Sequence, residues 1–118
     1  MKLALIGSRS FNDYDVFSQV LMPYVSSITL VISGGAKGAD ALAKRWAIEH
    51  GLPIQEILPD WKAFGRGAGI KRNEIIVNNA DAVIAFWNTQ SKGTKHVIDF
   101  CLKQNKKIIV IEVKNEPE

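Results

Sequence analysis

Three glycine-containing segments carry the residues of this sequence that are best suited to hold a phosphate. They read GSRSF from residue 7, SGGAKGAD from residue 33 and QSKGTKH from residue 90. Glycine lets a backbone approach a ligand closely, and the free backbone N–H groups at the start of a helix attract anions. Hydroxyl and cationic side chains in the same segments can bind phosphate oxygens. The three segments therefore predict a site for an anionic ligand.

The segment SGGAKGAD resembles two well-known phosphate-binding loops and matches neither. In the P-loop a lysine and then Ser or Thr follow the last glycine, whereas Lys37 precedes Gly38. The dinucleotide pattern G-x-G-x-x-G would need a glycine at Ser33, and the segment follows the second predicted strand rather than the first. We expect a phosphate-cradling loop of another sort, in which Gly34 and Gly35 permit close approach. A tight turn without a ligand is the alternative.

Strand and helix patterns alternate along the chain and position these segments. Strands are predicted over residues 2–6, 29–33, 53–57, 82–87 and 107–113. A first helix begins at the N-cap Asp13 and should be shortened or kinked by Pro23, and further helices are predicted over 38–50, 70–79 and 93–104. Residues 58–69 form the longest irregular stretch. This alternation indicates an α/β fold, with a mainly parallel sheet of about five strands and helices on both faces.

Cationic residues collect at one edge of the predicted sheet. In such sheets, ligands bind beyond the carboxyl ends of the strands, where the strand order reverses. The connections at that edge are 7–12, 34–37, 58–69 and 88–92. Eight of the 15 Lys and Arg lie in these connections or in the helical turns just after them, namely Arg9, Lys37, Lys62, Arg66, Lys71, Arg72, Lys92 and Lys95. A net charge of +3 mildly favours an anionic partner, and a scatter of solvated charges is the alternative.

The long connection over residues 58–69 adds aromatic rings to this edge, and the helix after it adds an arginine that can make two hydrogen bonds to one phosphate. Trp61 and Phe64 lie beside Lys62 and Arg66 in the long connection, and their rings could stack on a base or cap the core. Arg72 and Asn73 lie near the start of the following helix, where a bidentate contact between arginine and phosphate is expected.

Length and composition favour one globular domain, which we predict over residues 1–113 with a polar tail at 114–118. The 118 residues are 47% hydrophobic and 23% charged. No apolar run approaches the roughly 20 residues that cross a bilayer, so we expect no membrane contact and a cytoplasmic location. The single Cys101 leaves no internal disulfide to form. No His, Cys or carboxylate cluster has metal-ligand spacing, so neither a metal nor a cofactor is predicted.

Five motifs in order resemble the small single-domain members of the SLOG superfamily, which are related to the bacterial YspA and YpsA proteins. They are IGSRSF, SGGAKGADALAKRWA, DWKAFGRGAGIKRNEII, ADAVIAFW and SKGTKHVID, and they cover roughly residues 3–113. The resemblance implies a Rossmann-like three-layer sandwich with a pocket for a nucleotide-type ligand at the connections named above. The candidate ligand-binding residues are Gly7, Ser8, Arg9, Ser33, Gly34, Gly35, Lys37, Gly38, Asp40, Trp61, Arg66, Arg72, Asn73, Ser91, Gly93 and Thr94.

The wider superfamily includes the LOG phosphoribohydrolases, whose catalytic pair is an arginine and the glutamate of a P-G-G-x-G-T-x-x-E loop. Arg72 is similar to that arginine, and Gly93 and Thr94 match the G-T of the loop, but the glutamate position is Val97. Cleavage of an N-glycosidic bond builds positive charge on the ribose, which a carboxylate stabilises and valine cannot. Asp99 lies about 200° further around the helix and is a poor substitute.

The leading interpretation is a module that binds or senses a nucleotide or a nucleotide-derived phosphate, with no catalytic residue assigned. The first alternative is a nucleotide N-glycoside hydrolase that uses Arg72 and a carboxylate not identified by the motifs, for which Asp40 and Asp60 are nearby. The second alternative, by analogy to the superfamily member DprA, is binding of single-stranded DNA. A homodimer is compatible with the resemblance.

Overall fold

Strands and helices alternate along the chain in the computed structural model, which describes residues 1–114. The strands are β1 (Lys2–Gly7), β2 (Leu30–Ser33), β3 (Ile54–Glu56), β4 (Ala82–Trp87) and β5 (Lys107–Glu112). The α-helices are α1 (Tyr14–Leu21), α2 (Ala39–Glu49), α3 (Trp61–Phe64), α4 (Ala68–Asn79) and α5 (Lys92–Lys103), with 3-10 turns at Met22–Ser27 and Gly65–Gly67. Apart from Lys114, the tail predicted at 114–118 lies outside the described residues.

The five strands form one parallel sheet in the order β3-β2-β1-β4-β5. The chain starts with β1 in the centre and adds β2 and β3 on one side of it. It then crosses over and adds β4 and β5 on the other side. The direction of growth therefore reverses between β1 and β4, and this reversal opens a crevice at the carboxyl edge of the sheet.

Alternating residues of the central strands pack against helices on opposite faces of the sheet. Leu3 of β1 belongs to the core cluster that contains Trp46 of α2. Its neighbour Ala4 belongs to the cluster that contains Val77 of α4 and Ile98 of α5. Strands buried on both faces read as continuous apolar runs, which is why β1 and β4 are recognisable in the sequence. The predicted three-layer α/β fold with a parallel sheet is confirmed.

Local sequence signals set the helix ends. Asp13 caps α1, because its carboxylate accepts a hydrogen bond from the backbone N–H of Val16 at 3.1 Å. Pro23 follows the end of α1 at Leu21, and the chain continues there as a 3-10 turn. Gly51 ends α2 with a φ of +64°, which favours glycine. No helix formed by residues 1–114 has both the length and the apolar character needed to cross a membrane.

The connection predicted as irregular over residues 58–69 contains regular structure, and that expectation is wrong. Asp60 caps α3 by accepting the backbone N–H of Ala63 at 3.0 Å. A 3-10 turn follows at once, and α4 begins at Ala68, two residues before the predicted start. The glycines at 65, 67 and 69 concealed these turns, since glycine is unfavourable in a helix interior but is tolerated at its ends.

The connection after β1 lies directly against the start of α2. The backbone N–H of Ala39 donates to the carbonyl of Ser8 at 3.3 Å. Gly38, with a φ of +72°, comes so close that a Cβ there would lie 2.4 Å from the same carbonyl oxygen. Glycine at position 38 therefore allows two connections at the carboxyl edge to touch.

Replacing Gly38 by alanine should destabilise the protein strongly. Backbone in this conformation costs roughly 1–3 kcal/mol for a residue with a side chain, and the clash with Ser8 adds to this cost. We expect Gly38→Ala to lower the free energy of unfolding by about 2 kcal/mol or more in urea denaturation.

Gly69→Ala is the matched control, because a Cβ at Gly69 meets no atom within 4 Å and the residue lies inside α4. This variant should be neutral or stabilising by up to about 1 kcal/mol. Equal effects of the two substitutions would contradict the close contact between the two connections.

Candidate functional site

A cavity of about 110 Å³ lies at the carboxyl edge of the sheet, beside the ends of β1 and β2 and the connection that follows β4. The α4 and α5 helices form its other walls. It is lined by Ile6, Gly7, Arg9, Gly34, Ala36, Asp40, Arg72, Asn73, Ile76, Ser91, Gly93, Thr94 and Val97. The lining combines two cations, a carboxylate, three side chains that carry a hydroxyl or amide, and an apolar floor.

Arg72 of α4 is held in place by the protein around it. Its Nη1 donates to the carbonyl of Gly34 at 2.7 Å, and its Nε donates to the side-chain oxygen of Asn73 at 2.8 Å. Arginine has five N–H donors, so three are left without an acceptor among residues 1–114. The guanidinium is therefore oriented before any ligand arrives, with donors still available for an anion.

Asp40 of α2 is a buried carboxylate in the wall of the same cavity. It is 7% exposed, and its Oδ2 accepts the backbone N–H of Ala36 at 3.1 Å. Burial raises the pKa of Asp40, while the Ala36 hydrogen bond and the charges of Arg72 and Arg9 oppose this rise. Burial also lowers the pKa of Arg72, and the charge of Asp40 opposes that change. The cavity thus keeps two opposite charges in a poorly solvated space.

The backbone of the predicted phosphate loop is already hydrogen-bonded within the protein. The N–H of Ala36 is used by Asp40, and the N–H of Gly35 makes a long bond of 3.4 Å to Ser33 Oγ. The N–H of Ala39, at the start of α2, is used by Ser8. These three groups therefore serve to shape the loop.

The start of α5 is the other helix terminus at the cavity. Ser91 caps this helix, since its Oγ accepts the N–H of Thr94 at 3.3 Å and lies 3.0 Å from Thr94 Oγ1. Gly93 carries no side chain to shield the backbone, and a Cβ there would meet no atom within 4 Å. The helix dipole adds partial positive charge at this point. An anion in the cavity can therefore lie between the start of α5 and Arg72.

The structure brings nine of the sixteen candidate residues together in the lining of the cavity. They are Gly7, Arg9, Gly34, Asp40, Arg72, Asn73, Ser91, Gly93 and Thr94. They come from the carboxyl end of β1, from the connections after β1, β2 and β4, from the first turns of α2 and α5, and from the first half of α4, as the rule for parallel sheets predicts.

The other seven candidates lie outside the lining. Ser8 and Ser33 are buried, and Ser8 Oγ accepts the backbone N–H of Asn88 at 3.0 Å, which joins the connections after β1 and β4. Gly35 and Gly38 shape the loop. Lys37, Trp61 and Arg66 are exposed and do not line the cavity.

The sequence interpretation missed part of the apolar floor. Ile76 lies one turn after Arg72 on α4, and Val97 lies one turn after Gly93 on α5. Side chains three or four residues apart share a helix face, so this spacing could have identified both. Val97, which occupies the position of the hydrolase glutamate in the resemblance above, is buried in this floor.

A metal is not suggested by the donor set of the cavity. Asp40 is its single carboxylate, and neither histidine lines it. Residues 1–114 contain no group of three or more His, Cys, Asp or Glu side chains placed to hold a metal ion.

Comparison with known proteins connects this chain to a described family. Residues 1–64 match the family described as "YspA, cpYpsA-related SLOG family". The chain is also 33% identical over 130 aligned positions to the "Gene 61 protein" of Mycobacterium phage D29, with 98% of each chain covered. No solved structure gives a significant match.

Neutralising Asp40 should change how stability depends on pH. Because folding raises the pKa of Asp40, its ionisation favours the unfolded chain. The neutral carboxyl group of Asp40 contributes its full stabilisation below about pH 4, the ordinary pKa of an aspartate. This stabilisation is lost as the pH rises through the pKa that Asp40 has in the folded protein. Asp40→Asn cannot ionise and keeps an oxygen for Ala36. We therefore expect the variant to gain stability relative to the natural protein between about pH 4 and pH 7.

The measurement is urea denaturation of the natural protein and the variant at about pH 4 and pH 7. Asp99→Asn is the control, because Asp99 forms an exposed pair with Lys95 that should contribute only about 0.3–0.5 kcal/mol. A stability difference for Asp40→Asn that stays constant or reverses with rising pH would contradict the burial of an ionised carboxylate.

Proposed function

The chain belongs to the YspA- and cpYpsA-related SLOG family, and from this premise we propose that it binds a nucleotide or a nucleotide-derived phosphate in the cavity. Membership in this family is consistent with a nucleotide-related function. The observation that carries the proposal is the preoriented Arg72, which shares one cavity with the start of α5. We further propose that the protein is cytoplasmic and that this binding serves to sense the ligand.

The residues of the cavity suggest how such a ligand would be held. A phosphate would lie at the start of α5, between Arg72 and the more exposed Arg9. Charge-assisted hydrogen bonds from arginine are among the stronger polar contacts available there. Asn73 and Thr94 offer polar groups to ribose hydroxyls. The apolar floor can accept the carbon atoms of the sugar.

Arg9 provides the cleanest test, because its exposed side chain lines the cavity and has little role in the fold. Arg9→Gln should weaken binding of a nucleotide about tenfold or more, since a hydrogen bond to a charged group contributes about 1.5–3 kcal/mol. We would screen nucleoside mono-, di- and triphosphates and inorganic pyrophosphate by thermal shift, and then measure affinity by calorimetry.

Lys103→Gln is the control for the loss of one positive charge, because Lys103 ends α5 at the opposite edge of the sheet. It should leave the affinity unchanged. The proposal fails if no phosphate compound stabilises the protein, or if Arg9→Gln and Lys103→Gln bind equally well.

A second candidate function is hydrolysis of a nucleotide N-glycosidic bond, and the position of Asp40 favours it. The motifs left the carboxylate of such an enzyme unidentified, and Asp40 lines the same cavity as Arg72. In this reaction water adds to C1′ of the ribose and the base leaves with a proton. A carboxylate beside C1′ would stabilise the positive charge that develops there.

Release of free base from nucleoside monophosphates, followed by chromatography, tests this second candidate. The natural protein should release base, whereas Asp40→Asn should bind the nucleotide and release none. If the natural protein binds nucleotides without releasing base, the hydrolase is excluded and the binding function stands.

A further inference from the structure

An exposed aromatic surface lies outside the cavity, on residues 58–71. Four of the nine large hydrophobic side chains that residues 1–114 expose fall in this short segment: Leu58, Trp61, Phe64 and Ile70. Trp61 is 61% exposed and Phe64 is 47% exposed. Such clustering of exposed apolar groups is typical of an interaction surface. We refer to residues 58–71 as the Trp61 turn.

Local structure fixes the aromatic side chains of the Trp61 turn relative to each other. Trp61 and Phe64 are three residues apart on α3 and therefore lie on the same side of it. The helix is held at its start by Asp60, which caps the N–H of Ala63. Lys71 places its amino group 5.9 Å from the centre of the Phe64 ring. The turn thus presents two neighbouring rings with a cation beside them.

The charge of the Trp61 turn selects the kind of partner. Lys62, Arg66 and Lys71 are exposed, and the single acidic residue of the segment, Asp60, is engaged in capping α3. Pairing of two copies through this surface would bring the same patch to both sides of a twofold axis. Like charges would then face each other, which disfavours self-association. The surface suits an anionic partner that carries flat groups.

We propose that the Trp61 turn binds single-stranded nucleic acid. Unpaired bases would stack on Trp61 and Phe64, and the phosphates between them would lie beside Lys62, Arg66 and Lys71. Stacking tolerates any base, and the flanking cations follow the backbone of the strand. A duplex hides the faces of its bases and should bind more weakly. This activity goes beyond nucleotide binding, since it uses none of the residues that line the cavity.

The test is fluorescence anisotropy with labelled oligo-dT and oligo-U of about 12 nucleotides, which separates a preference for DNA from one for RNA. Trp61→Ala should weaken binding of the preferred strand about tenfold or more, because stacking on an aromatic ring is lost. If three cations contact phosphates, the logarithm of affinity should fall with the logarithm of salt concentration with a slope of about −2. Lys62→Gln should reduce that slope by about 0.7.

Leu102→Ala and Lys103→Gln are the matched controls, because both residues are exposed at the far end of α5. Neither should change affinity or salt dependence. The proposal is overturned if neither oligonucleotide binds at low salt, if a duplex binds as tightly as a single strand, or if Trp61→Ala behaves like Leu102→Ala. It is also overturned if sedimentation shows that Trp61→Ala instead dissociates a dimer, since the turn would then bind a second copy.

Discussion

The contact of Arg72 with the carbonyl of Gly34 is the interaction on which the site depends. Gly34 directly follows β2 at the carboxyl edge, α2 lies on one face of the sheet, and α4 lies on the other. A Cβ at Gly34 would lie 2.7 Å from Arg72 Nη1 and 2.9 Å from Asp40 Oδ2. Polar side chains from both helix layers therefore lie beside Gly34, in space that a side chain at this position would fill. This meeting point is also the wall of the cavity, so the fold and the site share one constraint.

Placing opposite charges at this point has an energetic cost that the rest of the fold must offset. Burial opposes the ionised form of both Asp40 and Arg72, and their mutual attraction compensates only in part. Two apolar side chains could fill such a position without that cost. The phosphate ligand proposed above would explain charged groups at this point, because it would add a further partner for Arg72.

The sequence was sufficient to predict the sheet and the helix layers on its two faces, because strands buried on both faces appear as continuous apolar runs. The same rule placed nine of the candidate residues at one cavity, since the carboxyl ends of parallel strands share an edge. The rule could not predict which backbone N–H groups at the cavity remain available to bind a ligand. Ser8 and Asp40 occupy N–H groups near the start of α2 through contacts that depend on how distant connections meet. Such hydrogen bonds depend on tertiary packing, and a pattern of glycines in the sequence does not predict them.

The distribution of cations shows why net charge is a weak guide to the partners of this chain. Eight cations at one edge looked like one cluster in the sequence, yet the structure separates them by the groups around them. Arg9 and Arg72 line the same cavity as the buried carboxylate of Asp40, where one anion can make several hydrogen bonds. Lys62, Arg66 and Lys71 are exposed to solvent, and Lys71 lies beside the Phe64 ring, so each of their contacts with an anion is weak and screened by salt. A compact ligand that fits the space gains most in the first setting. A long chain that repeats its charges and flat groups gains most in the second, because its affinity is the sum of many such contacts.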